Sequence, residues 1–383
     1  MTIEPEEARK KILEVVKPVK ETEKIDIDKS IGRVTSKEIK SDMDYPKYDK
    51  SMRDGYAIRK KDLKNTKEFK EVKKDHITEN EAKWVGTGKK MPEGADTLVM
   101  VEETNKKDQK IIIKPKELPK TNIIPKGSTI KKGKKIISKN TQINELNIGA
   151  LPTIEKTKIK VYKKSEIGII ATGKEITDKN DVNTRTITGI INQNNGKTTN
   201  TRIEDDIKKL EEQIQKYKDL DLIITIGGTS KGRKDITEQA IKNTGTLIFN
   251  QVQTKPGKTF TFGKINKTPI LSLSGTPTPS LIQTYTYLRP ALRKLNHLKQ
   301  IKPQKLISKT TITKKEHRVL TKGTKNLLPA KQTQQNKIKP IFGNYMTSLP
   351  FQKATHLIQL NKNKNKIKKH EKLKATPLKK QYK

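Results

Sequence analysis

Three short stretches constrain this chain more than any other feature: "EIGIIATG" (166–173), "DLIITIGG" (221–228) and "TPILSLSG" (268–275). Each is an apolar run of about strand length, and each ends on glycine. A run without polar alternation has to be buried on both faces, the condition of a strand inside a parallel sheet. Helical patterns stand between and after them: one from about residue 204, then "DITEQAIKN", then "TPSLIQTYTYLRPALRKL". Strands alternating with helices predict a doubly wound parallel sheet over 163–300.

Each apolar run feeds a small, polar loop: "ATGKE" (171–175), "GGTSKGRKD" (227–235) and "SGTPTPS" (274–280). In an open α/β sheet, ligands bind outside the carboxyl ends of the strands, where such loops gather. Gly227 and Gly228 let a ligand approach the backbone closely. Ser230 and the helix start behind it suit a phosphate. In "KPGKTFTFG" (255–263), Lys255 and Lys258 flank a Pro-Gly turn. Glu175 and Asp235 add carboxylates. Anion-binding groups beside carboxylates, with no thiolate in the chain, point to phosphate chemistry with magnesium.

The rest of the chain is organised differently. "PEEARKKILEVV" sets Ala8, Ile12, Val15 and Val16 on one helical stripe, with glutamates in the first turn. Residues 46–129 hold only short strands with Gly and Pro between them, and short β signals return after 300. The expected architecture is multidomain α/β plus β. A linker domain takes 1–45 and 130–162, and a β-rich domain (46–129) is inserted in it. The doubly wound domain takes 163–300, and a small C-terminal β domain takes 301–360. Residues 361–383, with ten lysines, are expected to form a basic disordered tail. Trp84 is expected in a core.

Composition narrows the function classes. No apolar run approaches the ~20 residues of a membrane span. "MTIEPEEARKK" lacks the apolar stretch of a secretory signal. With no cysteine there is no disulfide or thiolate site. A cytoplasmic protein is the expectation. The net charge of +42 comes largely from lysine in a chain rich in Ile, Asn and Thr, a pattern that A/T-rich coding produces by itself. Such a field also attracts nucleic acid. With one Trp and six Phe the chain offers few stacking platforms, so nucleic-acid binding is the weakest reading.

"YDKSMRDGYA" (48–57) packs Asp49, Lys50, Ser51, Arg53 and Asp54 ahead of Gly55. By itself it is either a solvated turn or part of a site. Taken in order, "YDKSMRDGYAI", "GADTLVMVEET", "TGKEI", "GGTSKGRKD", "KPGKTFTFG" and "LSGTPTPSL" resemble the molybdopterin molybdenumtransferases (MoeA and the gephyrin E domain). The likeness is to a lysine-rich, archaeal-like member, strong over residues 1–300 and weak beyond. It implies an elongated homodimer of four-domain protomers whose fourth domain is a small β-barrel. The implied reaction hydrolyses adenylylated molybdopterin and inserts molybdate or tungstate into its dithiolene, releasing AMP with magnesium assisting. A molybdopterin adenylyltransferase is an implied partner.

Carried over residue by residue, the resemblance makes Asp49, Glu175 and Asp235 catalytic and magnesium-binding, with Asp49 reaching the site between protomers. It makes Ser51, Gly227, Gly228, Ser230, Lys255, Lys258, Gly275 and Pro277 substrate-binding. Asp54 is expected to fix the loop before Gly55. Lys174, Arg233 and Ser274 depart from the family pattern. About ten residues separate Asn195 from Asp205, too few for the family's further helix and strand, so the third-domain sheet is expected to be short on one side. "TRIEDD" fits either the family's acidic pair (Asp205, Asp206) or a capping box from Thr201 to Glu204. The alternatives to the enzyme are a molybdopterin-binding scaffold or paralogue without the chemistry and, behind it, a nucleic-acid-binding protein.

Overall fold

The computed structural model describes residues 2–114, 121–228, 236–313, 323–362, 364 and 366–378. At its centre is a six-stranded sheet. Its elements in chain order are β1 (Ser165–Thr172), α2 (Val182–Gln193), β2 (Gly196–Ile203), α3 (Ile207–Lys216), β3 (Leu222–Ile226), α4 (Ile236–Thr244), β4 (Thr246–Phe249), β5 (Thr261–Ile265) and β6 (Thr268–Leu273); α1 (Pro5–Val15) precedes them all. The strand order is β2-β1-β3-β6-β5-β4. The first four run parallel, and β5 and β4 add an antiparallel edge. After β6 come α5 (Pro277–Gln283), a π-helical turn (Thr284–Leu288) and α6 (Arg289–Leu295).

Helices cover both faces, as the apolar runs require. Ile167, Ile169, Ile224 and Leu271 pack with α1, α2, α5 and α6 on one side. Ile170, Ile223 and Ile270 pack with α3 and α4 on the other. Each such side chain contributes roughly 1.5–3 kcal/mol by leaving water. α1, at the start of the chain, packs onto this domain. Its Ala8 and Ile12 are wholly buried in the same core, and Thr2–Ile3 pairs with Gln251–Val252.

The expected short sheet is corrected. The helix lies before Asn195 and the strand β2 fills residues 196–203, pairing with β1 along its whole length. A turn through Asn194 and Asn195, the latter at φ 64°, joins them with no wasted residue. A left-handed asparagine makes so tight a connection possible.

In the linker, Thr22–Asp26 pairs with Lys158–Tyr162, and Ile39–Lys40 with Lys135–Ile137. The inserted domain holds a sheet in the order Thr97–Met100, Gly55–Ile58, Glu81–Val85, Glu68–Glu71, Lys110–Ile113, Thr104–Lys107. Trp84 does not sit in its core. It is 45% exposed, its ring edge-on to the cross-strand Tyr56 at 5.3 Å and otherwise open to solvent. A ring that large is seldom fully enclosed.

The C-terminal domain is a closed barrel. Lys325–Gln334 pairs with Lys337–Pro340, then Gln304–Ser308, Lys372–Pro377 and His356–Leu360 follow, and the last returns to Lys325–Gln334. The expected disordered tail is therefore corrected. Lys372–Pro377 completes the barrel, with Leu373 and Ala375 in its core. Its lysines alternate with small and apolar residues, so one face is solvated while the other packs. No helix among the described residues is long and apolar enough to cross a membrane.

Candidate active site

At the carboxyl ends of β1, β3 and β6 lies a cleft of about 660 Å³. The sheet brings three loops to it because the parallel strands that carry them are neighbours. Glu175, Gly227, Gly228, Gly275 and Pro277, from the three loops read in the sequence, all line it. Gly227 sits at φ 94°, and a Cβ there would meet the Thr172 carbonyl oxygen at 2.6 Å. Gly275 lies opposite, its missing Cβ 3.3 Å from the Gly227 Cα. Two loops this close can present backbone, not side chains, to a ligand.

The first loop, residues 173–181, is held by its own hydrogen bonds. Asn180 donates from Nδ2 to the Glu175 carbonyl at 2.8 Å, and its Oδ1 accepts from the Thr177 amide at 2.7 Å. Asp181 accepts from the Thr184 amide at 2.9 Å, capping α2, and from Arg202 Nε at 3.1 Å. Arg202 also pairs with Asp178 and holds that carboxyl below the usual aspartate range. Arg202 comes from β2, so the strand that sequence reasoning omitted anchors the loop that carries Glu175.

Two further residues, missed in the sequence, join the loops to one another. Asn183 donates from Nδ2 to the Gly275 carbonyl at 2.7 Å. Gln283, wholly buried, donates to the carbonyls of Gly257 (3.1 Å) and Thr259 (2.8 Å) and accepts from the Ser274 amide at 2.8 Å. Lys255 and Lys258 are exposed on that same 255–259 segment, which reaches the cleft at Thr259. A polar residue inside the apolar face of "PTPSLIQ" was the available signal for Gln283.

The acidic pair divides its work. Asp206 caps α3, accepting from the amides of Lys208 (2.8 Å) and Lys209 (3.1 Å), and donation from Lys209 draws its carboxyl below the ordinary value. Asp205 lines the cleft. The Thr201–Glu204 capping box is not formed, because Thr201 belongs to β2 and its Oγ1 lies 2.7 Å from the Tyr217 hydroxyl. Among the described residues, Glu175 and Asp205 are thus the carboxylates that line the cleft without serving as a cap or latch. Ser230 and Asp235 lie outside the described residues.

Asp49 does not line this cleft of its own chain. It is exposed in the inserted domain, where its Oδ1 accepts from the Lys126 amide at 2.6 Å. Ser51 is buried and its hydroxyl turns back on the loop, donating to the Arg53 carbonyl and accepting from the Arg53 amide. Asp54 holds the loop from the other side, accepting at Oδ1 from the Thr87 amide (2.6 Å) and hydroxyl (2.8 Å). Gly55 is needed for close packing, since a Cβ there would lie 2.0 Å from the Val99 carbonyl oxygen.

Residues 3–154 match the family described as "MoeA N-terminal region (domain I and II)", and residues 168–294 match the "Probable molybdopterin binding domain". A molybdopterin biosynthesis protein of Methanocaldococcus jannaschii is 30% identical over 305 residues, covering 73% of this chain and 76% of the relative. The chain belongs to the MoeA family. A second relative, the molybdopterin molybdenumtransferase of Haemophilus influenzae, is 27% identical over 317 residues, or 78% of each chain. The MoeA fold is matched end to end by the molybdopterin biosynthesis MoeA protein of Pyrococcus horikoshii, with a TM-score of 0.84 at 23% identity and full coverage of both chains. The likeness includes the barrel, where the resemblance in sequence was weak.

Proposed function

We propose that this chain is a transferase of molybdenum cofactor biosynthesis, inserting molybdate or tungstate into adenylylated molybdopterin while the adenylyl group is hydrolysed away as AMP. The observation that carries the reading is the cleft itself. Glycine backbone from two loops faces two uncommitted carboxylates, Glu175 and Asp205, across about 660 Å³. That volume suits a drug-sized or nucleotide-sized ligand. The backbone of Gly227 and Gly228 lies against the phosphoanhydride, and Lys255 and Lys258 neutralise its charge. Asp235 and Ser230 keep the roles that the resemblance implies.

Among the described residues no three acidic or histidine side chains are grouped as a metal site. Magnesium, however, commonly uses one or two carboxylates together with substrate phosphates and waters. Glu175 and Asp205 fit that requirement and would hold the ion once the substrate supplies its phosphates. When bound, it would neutralise charge developing on the leaving phosphate. Asp49, exposed and not lining its own cleft, serves the cleft of a second protomer in a homodimer. An adenylyltransferase is the partner class that must supply the substrate.

The test is AMP release from adenylylated molybdopterin with molybdate, with and without magnesium. Molybdate-dependent release that stops on chelation supports the proposal. Binding of the nucleotide without any release would move the protein to the scaffold reading.

A further inference from the structure

A second cavity, of about 170 Å³, opens where α1, α6 and the barrel meet, and it shares no lining residue with the cleft. Three arginines line it, Arg9 from α1 and Arg289 and Arg293 from α6, beside the exposed Lys374 of the barrel. Arg289 is 4% exposed and Arg293 is 8% exposed. Buried cations are normally matched by carboxylates, because an unpaired charge out of water is costly. Among the described residues, these three have only neutral partners. Arg289 donates to the carbonyls of Leu378 and Pro377, both at 2.8 Å, and its guanidinium lies 4.7 Å from the Tyr285 ring centre. Arg293 donates from Nε to the Lys299 carbonyl at 2.6 Å and from Nη1 to Asn194 Oδ1 at 3.3 Å. Arg9 donates to Gln300 Oε1 at 3.3 Å.

Glu6 also lines the cavity, but its carboxylate is taken by Lys325 and by Gln359 Nε2 at 2.7 Å. Among the described residues the three arginines thus border this cavity without an ion-pair partner; Arg289 and Arg293 also border a neighbouring cavity of about 240 Å³, which Glu145 lines. Burial lowers Arg289 to about 10, and the charges of Arg293 and Arg9 act in the same direction.

We infer that the cavity framed by Arg9, Arg289 and Arg293 binds a free tetrahedral dianion of the sulfate and phosphate class. Guanidinium forks match the edges of such an ion, and its charge offsets the repulsion among the three. The volume is below the ~300 Å³ at which organic-ligand pockets begin, so a nucleotide is excluded and a bare oxyanion with a water or two fits. Because α1, α6 and the barrel all border the cavity, the ion ties the N-terminal helix to the C-terminal domain.

Calorimetric titration of the full chain with sulfate, with phosphate and with AMP separates the sources. Saturable binding of sulfate and phosphate is expected, weakened about tenfold in Arg9→Gln and largely kept in Arg9→Lys. AMP should not compete. Arg9 is only half-buried, so the variant is expected to fold, and equal melting temperatures without added anion would check this. Crystals of the wild-type chain soaked in selenate should show an anomalous peak between the three guanidiniums, a result independent of any variant. An empty cavity, binding indifferent to Arg9→Gln, competition by AMP, or a carboxylate from a second copy seated there would each overturn the inference.

Discussion

Gln283 donates from Nε2 to the Thr259 carbonyl at 2.8 Å, from a side chain wholly enclosed by protein. Its Oε1 accepts from the Ser274 amide at the same distance. One amide therefore sets the spacing between the loop after β6 and the segment carrying Lys255 and Lys258. Gln283→Leu preserves bulk but strands a buried N–H and two carbonyls. Stability should fall by about 2–4 kcal/mol. Denaturant unfolding measures this, and a loss under about 1 kcal/mol would mean that water replaces the side chain.

Asp205 and Asp206 are neighbours with separate tasks, and substitution should pull them apart. Asp206→Ala removes the α3 cap and should lower the melting temperature while leaving turnover intact. Asp205→Asn should do the reverse, cutting AMP release by about 10²–10³ with the melting temperature unchanged. Identical effects from the two variants would refute the division.

If Asp49 acts in the cleft of the partner protomer, two inactive variants should rescue each other. Asp49→Asn and Glu175→Gln are each expected to be inactive as homodimers. A mixed dimer would contain one intact site, so random exchange of equal amounts should restore about a quarter of wild-type activity. Activity that stays at background after exchange, with dimers demonstrated by sedimentation, would place Asp49 outside the site.

Donation by the amide of Thr87, then by its hydroxyl, holds the Asp54 carboxyl below its ordinary value of 3.8. A carboxyl whose pKa is lowered by folding stabilises the folded state fully above its unfolded value. That contribution is lost as pH falls through the lower, folded value. The loop before Gly55 should thus loosen only below about pH 4. Asp54→Asn should show a smaller acid-induced loss of stability than wild type in unfolding measured from pH 6 down to pH 2. Parallel curves for the two proteins would dismiss the linkage.

Removing residues 361–383 should open the barrel, since Lys372–Pro377 pairs with both Gln304–Ser308 and His356–Leu360. Burial of Leu373 alone corresponds to about 1.5–3 kcal/mol, before any ladder hydrogen bonds are counted. The truncated chain should melt several degrees lower and bind a hydrophobic dye. A melting curve superposable on that of the full chain would contradict the strand assignment.

The three apolar runs, their glycine-ended loops and the helices between them were legible in the sequence, because burial on two faces leaves no polar alternation. For the same reason the positions of Glu175, Gly227, Gly228, Gly275 and Pro277 at one cleft followed from strand adjacency. The elements that escaped were those with a solvated face. β2, "GKTTNTRI", lies at the sheet edge and shows no apolar run, and "KLKATP" hides its buried alternation among lysines. Period-2 patterns this short are overwhelmed by a composition with so much lysine.

Tertiary structure alone decided which of two adjacent aspartates caps a helix and which faces the cleft. It decided too that Gln283, Asn183 and Arg202 join segments far apart in the chain. Local sequence carries the propensity to form a strand or a turn, through backbone sterics and the residue's own burial. A side chain's hydrogen-bond partner 21 or 92 residues away is set only when the sheet brings the two together.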